Sequence, residues 1–461
     1  MISNTENKDI KKVPKRILTT LLSSVSAGVV PRVGAPYIAI GRNDEIAALL
    51  SDLEQISEGG GSMRFIIGRY GSGKSFLMQL MRGYALERDF ITADADLSPE
   101  RRLYGSSGTG RATYRELIKN LASKSSPDGG ALTKIIARWI DSISSELMAE
   151  GIDPESPKFA ADLNLMIMEK LENVRDLVGG FDFSRVITEY YKAYKNGDDE
   201  RLAACMRWLR GEFAGKTEAK NALGFSVSVV VDDDNWYDFL KLWAVFVRSM
   251  GYRGLVLFID ECVNLYKINH RVSRENNYEK ILSMFNDTLQ GRAEGLGIVF
   301  GGTPQFLEDT RRGLFSYEAL RSRLCDSRFS LSGYKNLIGP VIRLRRLGDD
   351  ELFALITRIT NLYAQNYGAE PNISEEDKVK FLEICLSRAG ADSMITPREM
   401  LRDYMTVLNI LMQNEGVAFD DIVASAVTLK TEADSDEEVA DKDQTEPETT
   451  KKIYTPQDIE F

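Results

Sequence analysis

The sequence predicts an α/β protein, with a parallel-sheet core around a P-loop, a helical insertion in that core and a C-terminal helical lid. Three observations predict it. The stretch FIIGRYGSGKSFLMQLM, residues 65–81, runs from apolar strand through glycine-rich turn to apolar helix. Two further apolar runs, GLVLFIDEC and GLGIVFGGTPQFL, end in polar residues and alternate with helical patterns, as parallel strands joined by crossovers do. From about residue 349 the pattern changes to three amphipathic helices.

Residues 10–30 are amphipathic, with Ile17, Leu18, Leu21, Leu22 and Val25 on one side, and the pattern stops near Gly28 and Pro31. Residues 1–36 are therefore read as an N-terminal helical segment. A second helix follows IAIGRNDEI and breaks at EGGGS, after which MRFIIG reads as a buried strand. DFITADADLS reads as the next strand, with Ser98 and Pro99 suited to cap and start a helix. From about 110 to 250 the pattern is helical, and about 130–230 exceeds what a minimal core needs. In NWYDFLKLWAVFVRSM, residues Trp236, Phe239, Leu240, Trp243 and Phe246 fall at helical spacing and are expected in the core. The core is taken as 37–345 and the lid as 346–428. The third lid helix carries a capping box, Thr396 with Glu399, and Pro397 at its first position.

Composition narrows the function. The chain has 461 residues, 43% hydrophobic and 28% charged, with no apolar run long enough to span a bilayer. Its N-terminus lacks a secretory signal, and four scattered cysteines form no CxxC pair, so the cytoplasm is expected and a structural zinc site is not. The single histidine, His270, excludes any His-based metal cluster and reads as an exposed loop residue. The net charge of −11 is concentrated in residues 431–450, which hold nine acids and one lysine. The tail 429–461 is therefore predicted to be disordered, and the remainder is close to neutral. DNA would have to meet a local patch, and KKVPKR at 11–16, RRLYGSSGTGR at 101–111 and RLRR at 343–346 are basic, although each reads more readily as a solvated face or a phosphate-neighbouring loop than as a DNA contact. The glycine-rich loop 105–110 reads as either a mobile contact element or a merely flexible one.

Gly68-Arg-Tyr-Gly-Ser-Gly73-Lys74-Ser75 matches GxxxxGK[ST]. Its glycines let backbone N–H groups converge on phosphate, and a helix N-terminus adds a positive dipole end. Gly68, Tyr70, Gly71, Ser72, Gly73, Lys74, Ser75 and Phe76 are the expected nucleotide-binding stretch. Lys74 is assigned to the β- and γ-phosphates and Ser75 to Mg²⁺. Asp260, ending LVLFID, is the second metal-holding candidate, and Glu261 is placed to orient and polarise water. Thr303 ends the neighbouring strand and is a candidate to position that water. Arg321 and Arg323, in SYEALRSRLCDSRF, are alternative arginine fingers for a neighbouring subunit's site. Arg398 sits in the first turn of a lid helix, where a cation opposes the helix dipole unless an anion is near.

These parts, with IGRNDEI, GGTPQF, ALRSRL and TPREM, resemble the AAA+ ATPases of the ASCE class, in particular the branch of origin-recognition and STAND-type ATPases. The resemblance implies that Gly41 and Arg42 lie near adenine and ribose. Lys74 and Ser75 are then similar to Walker A, Asp260 and Glu261 to Walker B, Thr303 to sensor 1 and Arg398 to sensor 2. More narrowly, AGVVP, GRYGSGKSFLMQLM, ADLSPERRLYG, YRELIKNLASKSSPDGGAL and GGTPQFLEDTRRGLFSYEALRSRL resemble the BREX-system ATP-binding family, of the short BrxD-like kind. That likeness implies ATP and Mg as cofactors, other defence-system proteins as partners, and a role in bacterial defence against phage.

Two functions stay open on the sequence. One is an oligomeric ATPase that couples hydrolysis to assembly or remodelling of a complex acting on DNA. The other is a slow nucleotide-switched regulator or scaffold that recruits proteins. Glu261 and the finger candidates favour the first; the near-neutral core and acidic tail favour the second. A metabolic kinase fits less well, because no small-substrate signature accompanies the P-loop.

Overall fold

A computed structural model describes residues 13–326, 336–387, 396–414 and 416–423. Its centre is a five-stranded sheet: β1 (Ser62–Gly68), β2 (Ile91–Asp96), β3 (Leu255–Asp260), β4 (Leu296–Gly302) and β5 (Val341–Leu344). The order is β2-β3-β4-β1-β5, and every pairing is parallel. Such a sheet is covered on both faces, which is why its central strands read as unbroken apolar runs. β4 lies between β1 and β3, so the P-loop and Asp260 face each other across the end of one intervening strand. β5 escapes a sequence reading because it is four residues long and overlaps the basic run RLRR.

One face of the sheet packs helix Asn43–Ser57 and the P-loop helix Lys74–Glu87 against Ile66, Val256, Phe258 and Val299. The other face, with Phe65, Leu257, Ile298 and Phe300, is continuous with the core of the insertion. Trp236, Phe239, Leu240, Trp243 and Phe246 are all buried there on helix Trp236–Ser249. Phe183 meets Trp243 and Phe246 edge-on at 5.0 Å each. The Trp243 indole N–H donates to the Tyr114 hydroxyl at 3.0 Å, and that hydroxyl donates to the Leu209 carbonyl at 2.8 Å. Both buried polar tips are thereby satisfied. The insertion shares the sheet's core instead of forming its own.

The lid comprises helices Asp349–Tyr367, Glu375–Ser387 and Pro397–Gln413. The expected capping box is present: the Thr396 side chain accepts from Glu399 N, and Glu399 reaches back to Thr396 N at 2.8 Å. The N-terminal helix Lys15–Ser26 buries Leu18, Leu21, Leu22 and Val25 in the same cluster as the lid residues Ile356, Tyr404 and Leu408. The two ends of the described chain thus share one core, distinct from that beneath the sheet.

Two local expectations are corrected. Ser98 and Pro99 do not start a helix: the Ser98 hydroxyl accepts from Glu100 N and Arg101 N in a turn, and the next helix begins at Thr109. Buried Leu103 causes this, because its N–H and that of Tyr104 are both held by Asn277 Oδ1. The loop 105–110 is pinned, with Asp233 accepting from Gly108 N, Gly110 N and Arg111 N at 2.7–2.9 Å. In RLRR, Arg343 pairs with Glu308 and Asp326, and Arg345 with Glu351, so much of that charge is used within the chain. His270 is exposed as expected, but it caps helix Arg271–Leu289, its Nδ1 accepting from Ser273 N. The acidic tail lies outside the described residues. No described helix is long and apolar enough to cross a membrane.

Candidate nucleotide site

The chain leaves β1 at Gly68 and turns through Gly71 and Gly73, both at positive φ, into helix Lys74–Glu87. At Gly71 the requirement is double. Its φ of 76° disfavours any L side chain, and a Cβ there would lie 2.9 Å from Thr396 Cγ2 of the lid. The lid therefore sits directly on the loop. Lys74 Nζ donates to the Gly68 and Arg69 carbonyls at 3.0 and 3.2 Å, which holds the ammonium over the loop. Burial lowers the Lys74 pKa below the ordinary lysine value, and Asp260 and Glu261 partly oppose that shift.

Ser75 and Asp260 meet: the Ser75 hydroxyl donates to Asp260 Oδ2 at 2.7 Å. The other oxygen, Oδ1, accepts from Glu261 N at 2.8 Å. Asp260 fits only because Gly301 stands beside it on β4, where a Cβ would lie 2.2 Å from Asp260 Oδ1. Glu261 adopts φ 57°, one of two non-glycine residues among those described with positive φ. Strain of this kind, held in place by its surroundings, concentrates at functional sites. A hydroxyl and a carboxylate already in contact suit a hard divalent cation that keeps most of its ligands as water and substrate phosphate.

Asp96, which the sequence reading passed over, is the register partner of Asp260 across β2 and β3. Partial desolvation, then the Asp260 and Glu261 carboxylates, raise its pKa above the ordinary aspartate value. The available signal was the acidic end of ITADAD, aligned with LVLFID.

A cavity of about 310 Å³ opens above the P-loop, at the lower end of the usual size for a small-molecule site, about 300–1,000 Å³. Its floor is residues 70–76, and Glu261 lies at one side. Part of the lining is an apolar wall, formed by Val25 at the end of the N-terminal helix, Val29, Val30 and Pro31 after it, Ile38 and Ile40, and lid residues Leu347, Leu355 and Leu401. This wall can take a flat, weakly polar ring beside a phosphate cradle. In the sequence AGVVP carries only a family similarity, and its place in this wall depends on the fold. Phe76 lines the cavity, and Tyr70, 77% exposed, stands at the rim. Arg398 lines it from the first turn of helix Pro397–Gln413.

Arg42 is 4% exposed and lies between the loop and the lid. Its Nη2 donates to the Ser72 carbonyl at 2.9 Å and the Arg345 carbonyl at 2.6 Å, and Nη1 lies 3.6 Å from Glu45. Beside it, Gly41 permits the approach of Glu351, whose Oε1 would be 2.2 Å from a Cβ. In this structure Arg42 acts as a clamp between the P-loop and the segment leading into the lid.

Six candidates lie outside the cavity lining: Gly41, Gly68 and Asp260, described above, and Thr303, Arg321 and Arg323. Thr303 caps the short helix Pro304–Glu308, its hydroxyl accepting from Phe306 N at 3.3 Å. The hydroxyl proton remains available to donate. Arg321 lies 3.7 Å from Glu318, and Arg323 donates to the Ala319 carbonyl at 2.7 Å; both are exposed on helix Glu318–Leu324. The fold does not bring either to its own chain's cavity.

No curated protein matches the chain. A family model described as BREX system ATP-binding protein BrxC/D matches residues 13–427, spanning the N-terminal helix, the sheet core with its insertion, and the lid. The chain belongs to the family of BREX system ATP-binding proteins BrxC/D.

Proposed function

We propose that the chain is a Mg-dependent ATPase of the AAA+ type. It couples its nucleotide cycle to assembly or remodelling of a DNA-directed BREX-like anti-phage complex in the bacterial cytoplasm. The observation that carries this reading is the contact of Ser75 with Asp260, with Glu261 next in sequence at the edge of the cavity. Ser75 and Asp260 would hold Mg²⁺, which when bound neutralises phosphate charge. Gly71 and Gly73 present the loop's N–H groups to the phosphates, and Lys74 supplies the fixed cation. The Glu261 carboxylate accepts a proton from the water that attacks the terminal phosphorus, and Thr303 orients that water with its free hydroxyl proton. The apolar wall takes the base, with Gly41 and Arg42 at its edge. Arg398 responds to the phosphates from the lid.

A second reading is favoured by the placement of Arg321 and Arg323 away from their own cavity. An isolated chain lacks a finger, so it would act as a slow switch until a neighbour supplies one. The test is ATPase rate against protein concentration, with and without double-stranded DNA, at stated salt. A specific rate that rises with concentration supports a shared site in a homo-oligomer. A flat and very slow rate at all concentrations supports the switch.

A further inference from the structure

Two segments far apart in sequence converge just beyond the strand ends that carry Glu261 and Thr303. The first leaves β3 through the one-turn helix Val263–Tyr266 and enters helix Arg271–Leu289, carrying Lys267, His270, Arg271 and Arg274. The second leaves β4 through helix Pro304–Glu308 and carries Arg311 and Arg312. Asp309 joins them: it accepts from the Tyr266 hydroxyl at 3.1 Å and from the N–H groups of Arg311 and Arg312.

At the junction two guanidinium groups share one acceptor. Arg274 Nη1 donates to the Ile268 carbonyl at 2.7 Å, and Arg312 Nη2 donates to the same oxygen at 3.3 Å. The two nitrogens are therefore no farther apart than those two bonds laid end to end. Arg274 is 6% exposed, and the buried Nε atoms of both arginines lack a hydrogen-bond partner. Neither guanidinium forms an ion pair with a described acid. Two like charges held together repel each other, and the five cations of the junction face only the carboxylates of Asp309 and Glu275 among the residues named here. Around them Lys267, Arg271 and Arg311 are exposed, and of these only Arg271 has an acidic partner among the described residues, Glu275. None of the three basic runs visible in the sequence includes this cluster. The loop bearing Arg101 and Arg102 adjoins it, tied to the same helix through Asn277.

We propose that Lys267, Arg271, Arg274, Arg311 and Arg312 form a seat for the phosphodiester backbone of nucleic acid. Backbone recognition needs clustered cations and no particular base contact, and here exposed Lys267, Arg271 and Arg311 surround the Arg274–Arg312 pair. The seat is joined to the nucleotide site through two single-turn helices. Asn264 N donates to the Glu261 carbonyl at 3.0 Å, and Thr303 caps the other helix. An anion drawn onto the junction thereby acts on the positions of Glu261 and Thr303 together. This deepens the reading of an ATPase acting in a DNA-directed complex and rests on it.

The test uses the full chain and fluorescence anisotropy with a fluorescein-labelled 30-base-pair duplex at several salt concentrations. The exposed triple variant Lys267→Ala, Arg271→Ala, Arg311→Ala is compared with wild type and with the charge control Lys216→Ala, Lys220→Ala on the insertion. Each phosphate contact removed lowers the slope of log affinity against log salt by about 0.9, so the triple variant is expected to lose about 2–3 in slope and at least about tenfold in affinity. The charge control is expected to change little. Binding of a fluorescent ATP analogue to the same preparations reports the nucleotide site separately. Equal affinity and slope in wild type and triple variant would overturn the seat while leaving the ATPase reading intact. So would an equal loss in the charge control, a wild type that binds no duplex, or loss of ATP-analogue binding together with DNA binding.

Discussion

The Ser75 hydroxyl and Asp260 Oδ2 are 2.7 Å apart although 185 residues separate them in sequence. The contact depends on β4 lying between β1 and β3, and on Gly301 leaving room for the carboxylate. Asp260→Asn keeps the shape but removes the charge that a divalent cation needs. Nucleotide affinity in excess Mg²⁺ is expected to fall by about tenfold or more, the loss typical of a disrupted metal environment. Affinity in EDTA should hardly change. Titration of a fluorescent ATP analogue in both conditions checks this, and an equal loss in EDTA would remove Asp260 from the metal role.

Arg42 offers two N–H groups in a fixed plane to carbonyls on either side of the loop–lid boundary. A lysine cannot reproduce that fork. Arg42→Lys is expected to cost about 1–3 kcal/mol, because a buried carbonyl loses its donor. Denaturant unfolding measures the loss. The same variant should bind nucleotide more weakly, since the loop loses its tie to the lid. Unchanged stability with weakened binding would mean that Arg42 serves the ligand alone.

Lys74 sets a pH dependence whose sign is fixed by its lowered pKa. In the proposed role it is the protonated form that holds phosphate, so affinity is expected to be full below the folded-state pKa and to fall as pH rises through it, short of the ordinary lysine range. Folding without nucleotide runs the other way. Between the folded and unfolded pKa values the unfolded chain binds more protons at Lys74, so this group's contribution to stability rises with pH. Nucleotide affinity and unfolding free energy measured across alkaline pH should therefore diverge. Lys74→Arg should flatten the alkaline fall in affinity. A wild-type affinity that stays level up to the ordinary lysine pKa would contradict the assignment.

Much of this site was legible because its signals are local. GRYGSGKS, LVLFIDE and TPREM each combine a backbone geometry with its chemistry within a few residues. The apolar wall, the Arg42 clamp and the role of Gly301 were not, because each depends on segments that only the fold brings together. Asp96 was missed for the same reason: its neighbours are set by sheet register. Ser98 and Pro99 misled because a serine–proline pair suits a turn as well as a helix start, and distant Asn277 decided the matter. The insertion's aromatic stripe was predictable as core, but its continuity with the sheet was not.

The central claim is that this cavity hydrolyses ATP with Glu261 as the proton acceptor, and Glu261→Gln tests it most directly. Phosphate release and ATP-analogue binding are measured on the same preparation, at a concentration where wild type turns over. Retained ATP binding with turnover reduced by about 100-fold or more is the expected result. Equal phosphate release from wild type and Glu261→Gln would contradict it.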